Sequence, residues 1–264
     1  MDLVYERRGD GPPLVLLHGI GHRWQAWEPV IDRLAVRRDV IACDLPGFGR
    51  SPTLPAGVPR TVDTLADAVA DFCYRLGVER PHVAGNSLGG LLALELAKRG
   101  RARSVTALSP AGFYTRAEFT YAASVLRGSR LAASRVPPAW MRRLAGSPVM
   151  RSLMFGMIYG RPSQLSSESL VGDALALRDA SAFDETLYAG VGGAFEAGSV
   201  GISDTPVTIA WGTRDLVLLR RQGARAKQAI PHADMVSLPS CGHVPMGDAP
   251  ELVAAEIIAT SART

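Results

Sequence analysis

Gly85-Asn86-Ser87-Leu88-Gly89, with Gly90 directly after it, is the stretch whose reading decides the fold. A short apolar run, Pro81-His82-Val83-Ala84, precedes it, and a strongly helical pattern, Leu88 to Arg99, follows. Glycine two residues either side of a serine, between a strand and a helix, marks a turn so sharp that the serine is held in a strained backbone conformation. The flanking positions have no room for a Cβ because strand and helix cross there. The hydroxyl then stands clear of the sheet at the positive end of a helix, where backbone N–H groups can bind a developing oxyanion. Taken alone, the pentapeptide reads equally well as a turn serine capping a helix. A serine is a poor nucleophile without a base, so the reading requires the rest of a triad.

Outward from this turn, strands and helices alternate. Leu3 to Arg7 reads as an edge strand, Leu14 to Leu17 as a fully apolar strand ending in His18-Gly19, and Trp24 to Ala35 as a helix despite Pro29. A strand at Asp39 to Cys43 ends in Asp44-Leu45-Pro46-Gly47-Phe48-Gly49. A helix beginning at Thr61 closes at Gly77, and another strand spans Ser104 to Leu108. This succession predicts an α/β fold: a mostly parallel sheet with helices on both faces. The alternation stops after Ser109-Pro110-Ala111-Gly112 and resumes with a strand at Pro206 to Trp211, a helix at Val217 to Ile230, a strand at Met235 to Leu238 and a last helix from Pro250. The intervening segment is helical in pieces and too apolar for disorder. The expected organisation is a core of residues 1–111 and 205–264, with a helical cap or lid inserted at 112–204.

Composition excludes several classes. The 264 residues are 47% hydrophobic, enough for one large core, yet no run reaches the length of a membrane-spanning helix. Met1 to Gly11 lacks the apolar core of a signal peptide, and the three cysteines (Cys43, Cys73, Cys241) form neither a disulfide framework nor a metal spacing, so a cytoplasmic protein is expected. The net charge of +4 comes from interspersed arginines, which argues against nucleic acid as a partner. No phosphate-loop pattern occurs, and no metal or cofactor is expected.

Of the five histidines, His82 lies inside a strand and His232 in a turn, while His243 follows the last strand in Ser240-Cys241-Gly242-His243-Val244-Pro245. That loop falls at the carboxyl edge of the sheet, on the side of the serine turn, where open α/β sheets place their sites. Trp211-Gly212-Thr213-Arg214-Asp215 puts a carboxylate after the preceding strand on the same edge. Ser87 as nucleophile, His243 as base and Asp215 as orienting acid are therefore the catalytic candidates; the alternative role for Asp215 is a helix cap. Two N–H groups are expected to hold the oxyanion: that of Leu88, after the nucleophile, and that of Ile20, in the flexible His18-Gly19-Ile20-Gly21 turn.

His18-Gly19-Ile20-Gly21, Asp44-Leu45-Pro46-Gly47-Phe48-Gly49-Arg50-Ser51, the Ser87 turn, Trp211-Gly212-Thr213-Arg214-Asp215 and Gly242-His243-Val244-Pro245 together resemble the α/β-hydrolase superfamily with a helical cap, in its serine-nucleophile branch. The resemblance implies a cofactor-independent serine hydrolase of esterase type, cleaving a carboxylic ester, lactone or thioester through an acyl-enzyme. Gly85-Asn86-Ser87 is similar to the form found in meta-cleavage-product hydrolases, which cut carbon–carbon bonds; those typically carry tryptophan after the histidine, where this chain has Val244. The usual proline after the acid is also missing, with Leu218 and Leu219 in that region. An acyltransferase or a ligand-binding protein on the same fold uses the same residues.

Specificity is expected in the cap. His18, Trp24, Phe113, Phe155, Met157 and Val244 are the candidate pocket residues, although simple packing of the cap explains most of the apolar ones. Between Arg116 and Arg161 there are eight arginines and one carboxylate, Glu118, which reads as a solvated helix face or as capture of an anionic substrate or acidic carrier. The expected partner is a small, largely apolar molecule that carries negative charge on the second of those readings.

Overall fold

The sheet is built from β1 (Tyr5–Arg8), β2 (Pro13–Leu17), β3 (Asp39–Cys43), β4 (His82–Asn86), β5 (Ser104–Leu108), β6 (Val207–Gly212) and β7 (Asp234–Leu238), in the order β1-β3-β2-β4-β5-β6-β7. Only β1 runs antiparallel; every other neighbouring pair is parallel. The computed structural model describes residues 1–190, 202 and 204–264. Strands β3 to β6 are buried at every position, as expected where helices cover both faces, whereas β7 at the edge exposes Asp234, Met235 and Ser237.

Alternation along the strands divides the core. Val15, Ile41, Val83 and Ile209 pack with α2 (Val62–Arg75) and α3 (Leu88–Lys98) on one face. Leu14, Val40, Ala84 and Ala210 pack with α1 (Glu28–Ala35) and the last helix of the chain on the other. Helix α2 has Thr61 as its N-cap, whose hydroxyl accepts from the Thr64 N–H. Helix α3 is buried from Leu88 to Ala97, so it is an element of the core rather than an amphipathic surface helix.

Between β5 and β6 lie α4 (Arg116–Arg135), α5 (Pro138–Ala145), α6 (Pro148–Phe155), α7 (Ser167–Asp179) and the short turn α8 (Phe183–Glu185). Helix α4 opens with a capping box in which Thr115 and Glu118 satisfy each other's backbone N–H. Ala133, Met141, Ala145 and Val171 make a small core between these helices. Of the expected insertion, residues 191–201 and 203 lie outside the described residues. The chain closes with α9 (Gln222–Ala229), the turn α10 (Pro245–Asp248) and α11 (Pro250–Ser261).

Two elements differ from their sequence reading. Trp24 to Ala35 is a 3-10 turn at Trp24–Trp27 followed by α1, because Pro29 cannot donate and fits only a first helical turn. The expected helix from Val217 begins only at Gln222: the Asp215 carboxylate accepts from the Val217 and Leu218 N–H groups, each 2.9 Å, and ties this stretch into a turn. Among the described residues no helix is long and apolar enough to cross a membrane, and all three cysteines are buried and free.

The glycines of the β4–α3 turn are sterically obligatory. A Cβ on Gly85 would lie 2.0 Å from the Gly89 carbonyl oxygen, and one on Gly89 would lie 2.0 Å from that of Leu17. Gly89→Ala is expected to cost on the order of 3 kcal/mol or more, because backbone must move. Gly128→Ala, in α4 with open space around it, is expected to raise stability by about 0.5–1 kcal/mol. Urea denaturation of both variants checks the contrast; a tolerated Gly89→Ala would contradict the packing.

Candidate active site

Ser87 joins β4 to α3 at φ 55°, ψ −116°, a conformation an L-residue adopts only when its surroundings impose it. The imposition is visible. Its N–H donates to the Leu108 carbonyl at 3.0 Å, and its own carbonyl accepts from Leu91 at 3.0 Å and Ala111 at 3.1 Å. The side chain is thereby carried to a cavity of about 220 Å³ that His243 also lines.

His243 lies in the loop between β7 and α10 and is buried. Its Nδ1 is 2.9 Å from Asp215 Oδ2, and the Asp215 side chain is fully buried. The other Asp215 oxygen is committed to Val217 and Leu218, so this carboxylate is fixed by three donors. Because Asp215 can only accept when ionised, His243 Nδ1 carries the proton and Nε2 is left as the basic nitrogen. The main chain of His243 is pinned as well: its N–H donates to Ile158 at 2.7 Å, and its carbonyl accepts from Asn86 Nδ2 at 2.8 Å.

The turn after β2 lies directly against the serine. A Cβ on Gly19 would sit 3.2 Å from Ser87 Cβ, and Ile20 lines the cavity. Leu88, the first residue of α3, has no acceptor for its N–H within its own helix. His18 orders this turn: its Nδ1 donates to Gly19 O at 2.7 Å, and its Nε2 accepts from the Leu45 N–H at 2.9 Å. That pairing selects one neutral tautomer, and burial pushes the His18 pKa down to about 3. Asp44 does similar work, accepting from Trp24 N at 2.7 Å and Arg50 N at 2.8 Å. Burial raises the Asp44 pKa, and those two N–H groups work against the rise.

The pocket residues expected from sequence are only partly brought together. Phe155 and Val244 line the cavity. His18 does not; it is wholly buried behind the Gly19 turn. Trp24 and Phe113 are core residues on opposite faces of the sheet, and Met157 points to solvent. The arginines of α4 to α6 do not line the cavity among the described residues. Arg127 and Arg130 pair with Asp184, Arg151 donates to the carbonyls of Ala145 and Ser163, and Arg143 stacks over Trp140. His82 bonds Ser104 across β4 and β5, and His232 is exposed.

The sequence assigns no role to Asn86, Asp248, His22 or Asp173, and marks Tyr159 only as a candidate apolar wall residue of the cap. Asn86 sits inside the serine motif, and its position there was the available signal. Asp248 accepts from Gly160, Arg161 and Gly242, each at 2.8 Å, and so ties the segment between α6 and α7 of the helical insertion to the His243 loop. Nothing local in the sequence marks it. No group of residues suited to holding a metal ion occurs among the described residues.

The model for the alpha/beta hydrolase fold matches residues 12–250. A dihydrolipoyllysine-residue acetyltransferase component of an acetoin cleaving system from Pseudomonas putida is 29% identical over 262 residues, 97% of this chain and 65% of that protein. A pimeloyl-[acyl-carrier protein] methyl ester esterase from Aeromonas hydrophila is 44% identical over 97 residues, 37% of this chain and 36% of its own. The chain thus spans less than two thirds of the length of these relatives. Among solved structures, a bacterial membrane phospholipase A superposes with a TM-score of 0.76 at 27% identity, over 98% of this chain and 81% of that one.

Burial of His18 makes stability depend on pH. The unfolded chain takes up a proton near pH 6.5 and the folded one only near pH 3, so the unfolded state binds more protons between those values. Stability present above pH 6.5 should fall as pH drops through this window, by roughly 1.4 kcal/mol per pH unit from this group alone. Urea midpoints between pH 7 and pH 5 measure it, and His18→Gln should flatten that slope.

Proposed function

We propose that this chain, which belongs to the α/β hydrolase fold family, is a cofactor-independent serine hydrolase that cleaves a carboxylic ester, lactone or thioester through an acyl-enzyme on Ser87. The observation that carries the reading is the buried Asp215–His243 pair, at 2.9 Å, opening on the same cavity as the strained Ser87. The Pseudomonas and Aeromonas relatives, named for acyl transfer and ester hydrolysis, agree with acyl chemistry.

In this reading His243 Nε2 takes the Ser87 proton as the hydroxyl attacks the acyl carbon, and returns it to the leaving group. Asp215 holds the imidazole in the required tautomer and stabilises the imidazolium. The Leu88 and Ile20 N–H groups receive the oxyanion, a contribution of about 3 kcal/mol per donor in comparable sites. Water, activated by the same histidine, then releases the acyl group. Residues 112–204 serve as the cap over this site. The apolar lining, which includes Leu126, Met141, Leu144 and Phe155 and none of the arginines between 116 and 161, suits an uncharged acyl chain.

Ser87→Ala should abolish hydrolysis of 4-nitrophenyl butyrate and hexanoate, and a fluorophosphonate probe should label Ser87 in the unaltered protein. Asp215→Asn should lower kcat by roughly 10⁴-fold, because the wrong tautomer is then favoured. Labelling elsewhere, or turnover surviving in Ser87→Ala, would remove the assignment.

A further inference from the structure

Apart from Asn86, Ser87 and His243 at the nucleophile and Ser129 on α4, the cavity lining is apolar except along one wall. Tyr159, just beyond α6, donates its hydroxyl to Asp173 Oδ2 at 2.5 Å. The second oxygen, Oδ1, lies 3.8 Å from His22 Nδ1, too far for a hydrogen bond, and that ring nitrogen is buried without a partner. All three side chains line the same cavity as Ser87 and His243. They come from three separate places. His22 is held by its N–H to Gly19 O at 3.1 Å, in the turn that lies against Ser87. Asp173 is on α7, and Tyr159 follows Ile158, whose carbonyl holds the His243 main chain.

We infer that His22, Asp173 and Tyr159 form a hydroxyl-binding subsite beside the nucleophile, so that the ester cleaved carries a free hydroxyl close to its scissile bond. This rests on the serine-hydrolase reading above and narrows its substrate class. A buried ring nitrogen and a half-used carboxylate facing one gap require a group that fills both valences. A hydroxyl donates to Asp173 Oδ1 and still offers lone pairs to a His22 N–H. A carbonyl has no proton for the carboxylate, and with the proton of the neutral His22 ring on Nδ1, facing the carboxylate, an ammonium has no acceptor for it. A substrate carboxylate would meet Asp173 as a like charge in a poorly solvated site. The anion-binding reading of the cap arginines is therefore not the one the cavity favours. Burial, ahead of the opposing pull of Asp173, holds the His22 pKa below its ordinary value, which keeps the ring a neutral hydrogen-bonding group.

The test uses two matched pairs on the full chain: 2-hydroxyethyl hexanoate against propyl hexanoate, and methyl 3-hydroxyhexanoate against methyl hexanoate. A preference in kcat/KM of about tenfold or more is expected for the hydroxylated member of at least one pair, the scale of a hydrogen bond to a charged acceptor. In the double variant Asp173→Leu/Tyr159→Phe, which removes the carboxylate without stranding the phenol, the preference should fall below threefold. His22→Phe serves the same purpose if the double variant does not fold. The ratio is independent of how much of the protein is active. Calorimetric Kd values for the same pairs on Ser87→Ala give the subsite a readout free of turnover. If none of the four esters is hydrolysed, the hydrolase reading fails, and the binding ratio still decides the subsite. Ratios below threefold in both pairs, or a preference that the variants keep, overturn it and leave the trio as a water-bridged tie between α7 and the Gly19 turn.

Discussion

The crossing of β4 and α3 at Ser87 is the constraint on which the other features of the site depend. With 2.0 Å between a Cβ at Gly85 and the Gly89 carbonyl, and the same distance between a Cβ at Gly89 and Leu17 O, backbone meets backbone with nothing between. That contact forces the serine to positive φ and gathers β2, β4 and α3 at one point. The cost, on the order of 1–3 kcal/mol for such a residue, is met by a core in which α3 is buried along most of its length. The Gly19 turn lies within contact distance of Ser87 because β2 is the strand paired beside β4.

Around that crossing, loops are held by buried carboxylates that accept main-chain N–H groups rather than by regular secondary structure. Asp44 joins Trp24 to Arg50, Asp215 joins Val217 and Leu218 to His243, and Asp248 joins Gly160 and Arg161 to Gly242. Each satisfies donors that a buried loop would otherwise strand, and hydrogen bonds to an ionised acceptor are the stronger kind. Asn86 adds a neutral tie to the His243 carbonyl from the residue before the serine. His243 is thus located by contacts from β4, from the helical insertion and from α10, not by its own loop.

The central sheet was legible because its code is local. Runs such as Val83-Ala84 and Ile209-Ala210 are apolar on both faces, which only a covered parallel sheet accommodates. The serine turn was legible for a steric reason, since its glycines stand where no side chain fits. The helical insertion was legible only as helical. Its cavity-lining residues are spread over α4, α5, α6 and α7, and their meeting depends on how those helices cross. Phe113 and Met157 looked like wall residues by type, yet one became core and the other faces solvent, because composition does not say which side of a helix or turn is inward. The sequence pattern puts the start of α9 too early, since side-chain capture of the Val217 and Leu218 amides competes with helix, and propensity does not register it.

By itself, the sequence determined the order of strands and helices, the strained serine at position 87, and the two carboxyl-edge positions, 215 and 243, after the strands that carry them. These follow from periodicity and from glycine and proline sterics, which act over a few residues. Tertiary structure alone decided that His22, Tyr159 and Asp173 meet in one cavity with Ser87, and that Asp248 fastens the helical insertion to the His243 loop. Those contacts join positions distant in the chain. Their energy depends on desolvation and distance, and neither exists until the helices have packed over the sheet edge.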